Sequence, residues 1–406
     1  MKKLMPLLWL TALVLIIAAC AQPTQAPPAQ PTEGEPYVVG MVASVTGPAS
    51  SLGVPERDTG LMLMEKINNA GGIQGPDGQT HKLEVVVEDD ATDTGKAVLA
   101  AKKLIEQDNV LVLIGSSGSP ASMAMVPVAT EAEVPMISMA SSSAIVTPVS
   151  ERHWIFKTPQ TNLPVAQVQA DYWKAKGVKR VASLGVNNAF GEDSRKSMQQ
   201  VYGDAGIEIV ADELFQPGDK DFRAQLTKIK GLNPEGLVVH ATSGEGAPVT
   251  VQFRELGFDI PIVQNHGIGS KRFIDLAGDA AEGVLFPIGK VVVAEGLPDS
   301  DPQKATLLEY VKEYSDYTNG QPRSTFGGHA WDAVMESVHC LGKVGADRAK
   351  LRDCLENDIK NFVGISGVFN VSSTDHVGIS KESLVLVEIK SGEWVYVAPD
   401  KYAEAP

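Results

Sequence analysis

Apolar and polar positions fall into alternating blocks from Tyr37 onward. Short apolar runs, several of them β-branched, at 38–43, 83–87, 110–114 and 134–138, and a further strand pattern at 154–157, are separated by stretches with helical spacing at 59–67, 94–106 and 121–132. Apolar runs of this length predict strands covered on both faces, and their alternation with helices predicts a doubly wound parallel sheet. The rhythm restarts after Pro159. Helices are predicted at 163–176, 192–202, 222–229 and 248–256, between strands at 180–185, 207–211, 236–240 and 260–264. The chain is therefore α/β with two Rossmann-like lobes. Beyond a strand at 283–286 come longer helical patterns at 302–317, 329–341 and 348–356. A strand at 368–371 and a hairpin, 384–389 with 394–397 turned at Ser391-Gly392, close the pattern.

Residues 110–146 carry the clearest chemistry, because two successive strands end in small hydroxyl-bearing residues. The first runs into Gly115, Ser116, Ser117, Gly118 and Ser119, the second into Ala140, Ser141, Ser142 and Ser143. Ser119 followed by Pro120 is the pattern of a helix N-cap with proline at the first helical position, which turns backbone N–H groups and a positive dipole end toward the crevice. Side by side at the carboxyl ends of adjacent strands, the two rows predict an uncharged cradle for a carboxylate. The plainer reading of each cluster alone is an ordinary turn.

The first forty residues change the picture of where the chain works. Lys2 and Lys3 precede an apolar run from 4 to 19, too short for an ordinary membrane span, so 1–19 is expected to be a signal peptide. The run ends Ile16, Ile17, Ala18, Ala19, Cys20, which resembles a bacterial lipoprotein box, with Ile17 where leucine is usual. Cys20 is then the expected lipidation site, and 20–36, rich in Pro, Gln, Thr and Ala, a flexible lipid-anchored linker. Losing Lys2 and Lys3 takes the formal charge from −15 to −17. So acidic a chain is a poor partner for nucleic acid or for an anionic membrane surface. Cys340 and Cys354 remain, fourteen positions apart on consecutive predicted helices in an oxidising setting. A disulfide is expected, with free buried thiols as the alternative.

No catalytic constellation emerges. Gly115-Ser116-Ser117-Gly118 places its second glycine one position too early for a nucleophile elbow, and Gly267-Ile268-Gly269 completes no dinucleotide fingerprint. Cys340 sits beside His339 but is expected to pair with Cys354. Glu88, Asp89 and Asp90 lack the spacing of a calcium loop, so Asp90 and Asp93 are expected at a solvated edge or as helix caps, with no metal and no cofactor. His240 and His266 each follow a strand of the second lobe, and Phe190 opens a helix there.

Taken in series, several motifs resemble the leucine/isoleucine/valine-binding type of solute receptor of bacterial ABC importers, a periplasmic binding protein type I family. They are Thr46-Gly47-Pro48 with Gly53, Asn68-Asn69-Ala70-Gly71-Gly72-Ile73, Glu88-Asp89-Asp90, Ile114-Gly115, Met136-Ile137-Ser138, Phe190-Gly191-Glu192, Ala281-Glu282-Gly283 and Asp375-His376 with Gly378. The resemblance implies two lobes joined by a three-crossover hinge, expected near Lys157-Thr158, Val284 to Pro287 and Gly364 to Phe369. The N-terminal lobe is expected at 37–157 plus 286–365 and the C-terminal lobe at 158–285 plus 366–400. It also implies an exported lipoprotein that works with permease subunits of an ABC transporter and catalyses nothing. A sensor feeding a signalling partner, or an exported hydrolase using Ser119 or Ser142, are the alternatives.

Carried over by position, Ser119 is expected to hydrogen-bond the ligand carboxylate, with Ala140 and Ser142 offering backbone and hydroxyl groups and Ser141 lining the same wall. Leu52, Phe190 and Thr242 fall where the family's pocket contacts its ligand. His266 is a departure, since amino-acid binders of the family usually carry an acid there to pair with the ligand's ammonium. The resemblance therefore implies a small carboxylate ligand, a branched-chain amino acid or a related aromatic or aliphatic acid. The altered position favours an acid without an α-amino group unless Glu245 reaches in.

Overall fold

The computed structural model describes residues 33–406, so the predicted signal peptide, Cys20 and most of the predicted linker lie outside the described residues. The first lobe opens with β1 (Tyr37–Ala43), α1 (Ser50–Asn69), a small hairpin of β2 (Ile73–Gln74) and β3 (Thr80–His81), and β4 (Leu83–Asp89). It continues through α2 (Thr94–Glu106), β5 (Val112–Gly115), α3 (Ser119–Glu131), β6 (Met136–Ser138) and β7 (Ile155–Lys157). These strands form one parallel sheet in the order β4-β1-β5-β6-β7. Every residue of β5, β6 and β7 is buried, which is why their sequences are continuously apolar rather than alternating.

The second lobe repeats the rhythm with α4 (Asn162–Lys176), β8 (Arg180–Val186), α5 (Ala189–Ala205), β9 (Glu208–Phe215), α6 (Arg223–Gly231) and β10 (Gly236–His240). It goes on with α7 (Ser243–Glu255), β11 (Ile262–Gln264), α8 (Lys271–Ala277) and β12 (Leu285–Gly289). The chain then supplies α9 (Lys304–Tyr317), α10 (Thr325–Val344), α11 (Arg348–Asn357) and the hairpin of β13 (Lys360–Val363) with β14 (Val368–Asn370), before β15 (Leu384–Lys390) and β16 (Glu393–Val397). The second sheet runs β9-β8-β10-β11-β12-β15-β16, antiparallel only at β15 and β16. Ser391 and Gly392, both at positive φ, turn that last hairpin as its sequence predicts.

Helices α9 to α11 belong to the first lobe. The Thr59 hydroxyl lies 3.0 Å from the Tyr310 hydroxyl, and Arg352 Nε donates to the His153 carbonyl at 2.9 Å. Two expected boundaries need correction. Residue 286 falls inside β12, a strand of the second sheet, so the second crossing lies beyond Gly289. The third lies beyond 366, because β14 pairs with β13 and the His376 ring stacks on Phe156 of β7 at 4.3 Å. Periodicity located the strands, but no period distinguishes a strand that ends a lobe from one that leaves it.

Buried polar contacts hold the first crossing and the segment after α11 against α10. Thr158 donates its hydroxyl to the His329 carbonyl at 2.9 Å, and Asp332 accepts from the N–H groups of Ile365 and Ser366 at 2.6 and 2.7 Å. Cys340 of α10 and Cys354 of α11 are bonded, with 5.7 Å between their Cα atoms. Among the described residues no helix is long and apolar enough to cross a membrane.

Candidate functional site

The carboxyl ends of the parallel strands of the two sheets face each other across a cavity of about 300 Å³. In doubly wound folds this is where the strand-end loops leave a crevice. The first lobe contributes Leu52 from α1, Ser117, Ser119 and the start of α3, and Ala140 and Ser141 after β6. The second contributes Phe190 from α5, Thr242 and Glu245 from α7, and His266 after β11. Phe326 and His329 of α10 complete the wall. The lobes also touch directly, the Ser143 hydroxyl donating to the Asp193 carboxylate.

Local sequence explains how each group is held. Helix α3 starts at Ser119 with Gly118 as its N-cap, one position earlier than the Ser-Pro pattern predicts, so Ser119 does not cap its own helix. Its Oγ instead accepts from Ser142 N at 3.2 Å, which leaves the hydroxyl proton free for an acceptor in the cavity. Ser142 lies outside the cavity lining. It is 1% exposed, and its hydroxyl has no partner among the described residues. Ala140 does line the cavity, but its N–H is committed to Ser138 Oγ at 3.1 Å.

Glycine at 53 and 191 is required by close approach. A Cβ on Gly53 would sit 2.2 Å from the Ser44 carbonyl carbon, and one on Gly191 would sit 1.9 Å from the Val186 oxygen. The first contact lets α1 bring Leu52 to the cavity. The second lets α5 start directly behind β8, where the Asn188 side chain accepts from Phe190 N and Gly191 N at 3.0 and 3.1 Å. Phe190 is thereby set edge-on against the His266 ring, centroids 5.5 Å apart.

The electrostatics of the wall are set by burial. His266 is held down at about 3, first by burial and then by the charges of His329, Lys157 and His240. His329 falls to about 3 by burial and Lys157, its Nδ1 lying 2.8 Å from Ser366 Oγ. Both rings are neutral at physiological pH and offer hydrogen bonds rather than charge. His240, pushed to about 4 by burial, stands behind the wall near Asn265 and does not line the cavity. Glu245 is half-buried on the cavity wall, with Oε2 accepting from the Thr242 hydroxyl at 2.8 Å.

Beneath the first lobe's wall lies a polar network the sequence did not announce. Asp90 is fully buried and accepts from the hydroxyls of Ser44 and Ser116 and from Thr92 N, so it is neither a solvated edge nor a helix cap. Asp93 does cap α2, accepting from Lys96 N at 2.8 Å. Ser117 accepts from Ser44 N at 2.9 Å and donates to Glu56, whose carboxyl burial pushes well above its ordinary range, with the Ser117 hydrogen bond opposing and Asp90 reinforcing. The floor is therefore rigid and mostly satisfied before any ligand arrives.

A family model for periplasmic binding proteins matches residues 36–393. The chain belongs to that family. Among relatives of this periplasmic binding protein is the leucine-, isoleucine-, valine-, threonine- and alanine-binding protein of Pseudomonas aeruginosa. It is 28% identical over 322 residues, covering 78% of this chain and 81% of the relative. An extracellular ligand-binding receptor from Rhodopseudomonas palustris HaA2 superposes with a TM-score of 0.81 at 30% identity, covering 90% of this chain and all of that one. A branched-chain amino acid transporter substrate-binding protein from Streptococcus pneumoniae, solved with isoleucine, gives 0.76 at 27% identity, covering 89% of this chain and 100% of its own. The two-lobed type I fold expected from the motifs is thus the fold of these neighbours.

Proposed function

We propose that this protein is an exported, lipid-anchored receptor that binds a small apolar amino acid between its lobes, presents it to an ABC importer, and turns nothing over itself. The lipid anchor is assigned to Cys20 on its sequence context alone. The observation that carries the ligand reading is the polarity of the cavity. Neutral donors from Ser119 and the start of α3 stand on one lobe, the Glu245 carboxylate on the other, and Leu52 and Phe190 between. A carboxylate suits the first side, an ammonium the second, and an aliphatic side chain the space between.

His266 is neutral and gives an ammonium no charge to pair with. Taken alone it favours a ligand without an amino group. That expectation depended on Glu245 staying out of the cavity, and Glu245 lines it. The relatives that bind leucine, isoleucine or valine support the same class.

A thermal-shift panel tests the reading. Leucine, isoleucine or valine should stabilise the protein by roughly 2.7 kcal/mol at a hundredfold excess over the dissociation constant. Isocaproate (leucine without its amino group) and leucinamide (leucine without its carboxylate) should each stabilise less. A stronger response to isocaproate than to leucine, or turnover of an ester or amide, would overturn it.

A further inference from the structure

Lys157 is an oddity of the first crossing. It is 2% exposed, at the end of a fully buried strand, and no carboxylate lies within 4.0 Å of its Nζ among the described residues. Its Nζ donates instead to two backbone carbonyls, Ser141 at 2.5 Å and Gln160 at 3.4 Å. A buried ammonium held only by neutral carbonyls is costly, and proteins keep such a group where a counter-charge arrives. The Ser141 that receives it lines the cavity on the side of Ser119.

The acids that face it are otherwise engaged. Asp193 of α5 accepts from Ser143 and from Asn162 Nδ2, and Asp375 accepts from Val377 N and Gly378 N. The other titratable groups near it, His266 and His329, are neutral. The first lobe's wall therefore has neutral donors at its surface and one cation a single residue behind them.

We propose that Lys157 is the counter-cation of the ligand carboxylate, acting through the Ser141 wall rather than by contact. This rests on the carboxylate cradle proposed above and deepens it by making Lys157 a positioning and charge-balancing residue for the ligand. Its amine supports the role, since burial brings it down to about 7, with Asp193 and Asp375 opposing. An arriving carboxylate favours the protonated amine, so the bound state holds its proton more tightly than the free state. Binding then takes up a proton above pH 7. Affinity is highest below about 7 and falls as pH rises, by up to about tenfold per pH unit.

The experiment compares wild type, Lys157→Met and Lys157→Arg by calorimetry with leucine and isocaproate between pH 6.5 and 8.5, isocaproate being the probe with no amino group of its own to titrate. Wild-type affinity for both probes should fall across this range, with proton uptake visible as a buffer-dependent enthalpy. Lys157→Met should bind both about tenfold more weakly at pH 6.5 with no pH dependence. Lys157→Arg, charged throughout, should keep the affinity and lose the pH dependence. A purely structural lysine would leave no pH profile for arginine to flatten. A flat wild-type profile, or Lys157→Met binding as tightly as wild type, would overturn the proposal. If isocaproate binds as well as leucine in wild type but both depend on Lys157, the amino-acid reading fails and the counter-cation stands.

Discussion

Replacing Glu245 with glutamine is expected to weaken leucine binding by roughly tenfold to a hundredfold, the loss of a hydrogen bond to a charged group, about 1.5–3 kcal/mol. Isocaproate, which has no ammonium, should bind the variant at least as well as wild type, because a carboxylate on the cavity wall repels nothing once it is neutral. The two ligands separate the functional role of Glu245 from its local one. Its Oε2 accepts from Thr242 at the first turn of α7, a contact that an amide can also make. A disturbed helix start would weaken both ligands alike. Competition calorimetry of the two on wild type and variant reads the difference, and equal losses would remove Glu245 from the ammonium site.

The second large effect concerns stability alone. Cys340 and Cys354 close a short loop between α10 and α11, with a sequence separation of 14. Replacing both with alanine should cost about 3 kcal/mol of the first lobe's stability, on the loop-entropy estimate for a loop of this size. Neither cysteine lines the cavity, so leucine affinity should be unchanged. Urea unfolding with and without reductant measures it. A loss below about 1 kcal/mol would show that packing of α10 against α1, rather than the bridge, holds these helices.

The βα rhythm was plain because the central strands of both sheets, such as β5 and β10, are buried on both faces, which makes them almost continuously apolar. The wall residues Leu52, Ser119, Ala140, Ser141, Phe190, Thr242 and His266 were reachable through strand ends and the family's motifs, and all seven line the cavity. Ser142 falls outside that lining, and a run of three serines carries no signal of which hydroxyl faces outward.

Asp90 was misread for a related reason. An acid after a strand looks solvated until the serines that bury it, Ser44 and Ser116, arrive from distant segments. His329 and Phe326 were hidden because they sit in a long helix of a later segment, where nothing local marks a residue that turns toward a cavity. Glu56 and Lys157 were invisible for the same cause. A buried charge is defined by its surroundings, and the sequence prints only the charge.

The proposed ligand orientation puts the carboxylate on the first lobe and the ammonium on the second. A crystal structure of the protein soaked with leucine tests it most directly. Leucine is expected in the cavity between the lobes, with a carboxylate oxygen within hydrogen-bond distance of Ser119 Oγ and of the α3 N-terminus, and the ammonium against Glu245. Leucine found reversed, with its carboxylate toward Glu245 and His266, or bound anywhere else, would contradict it.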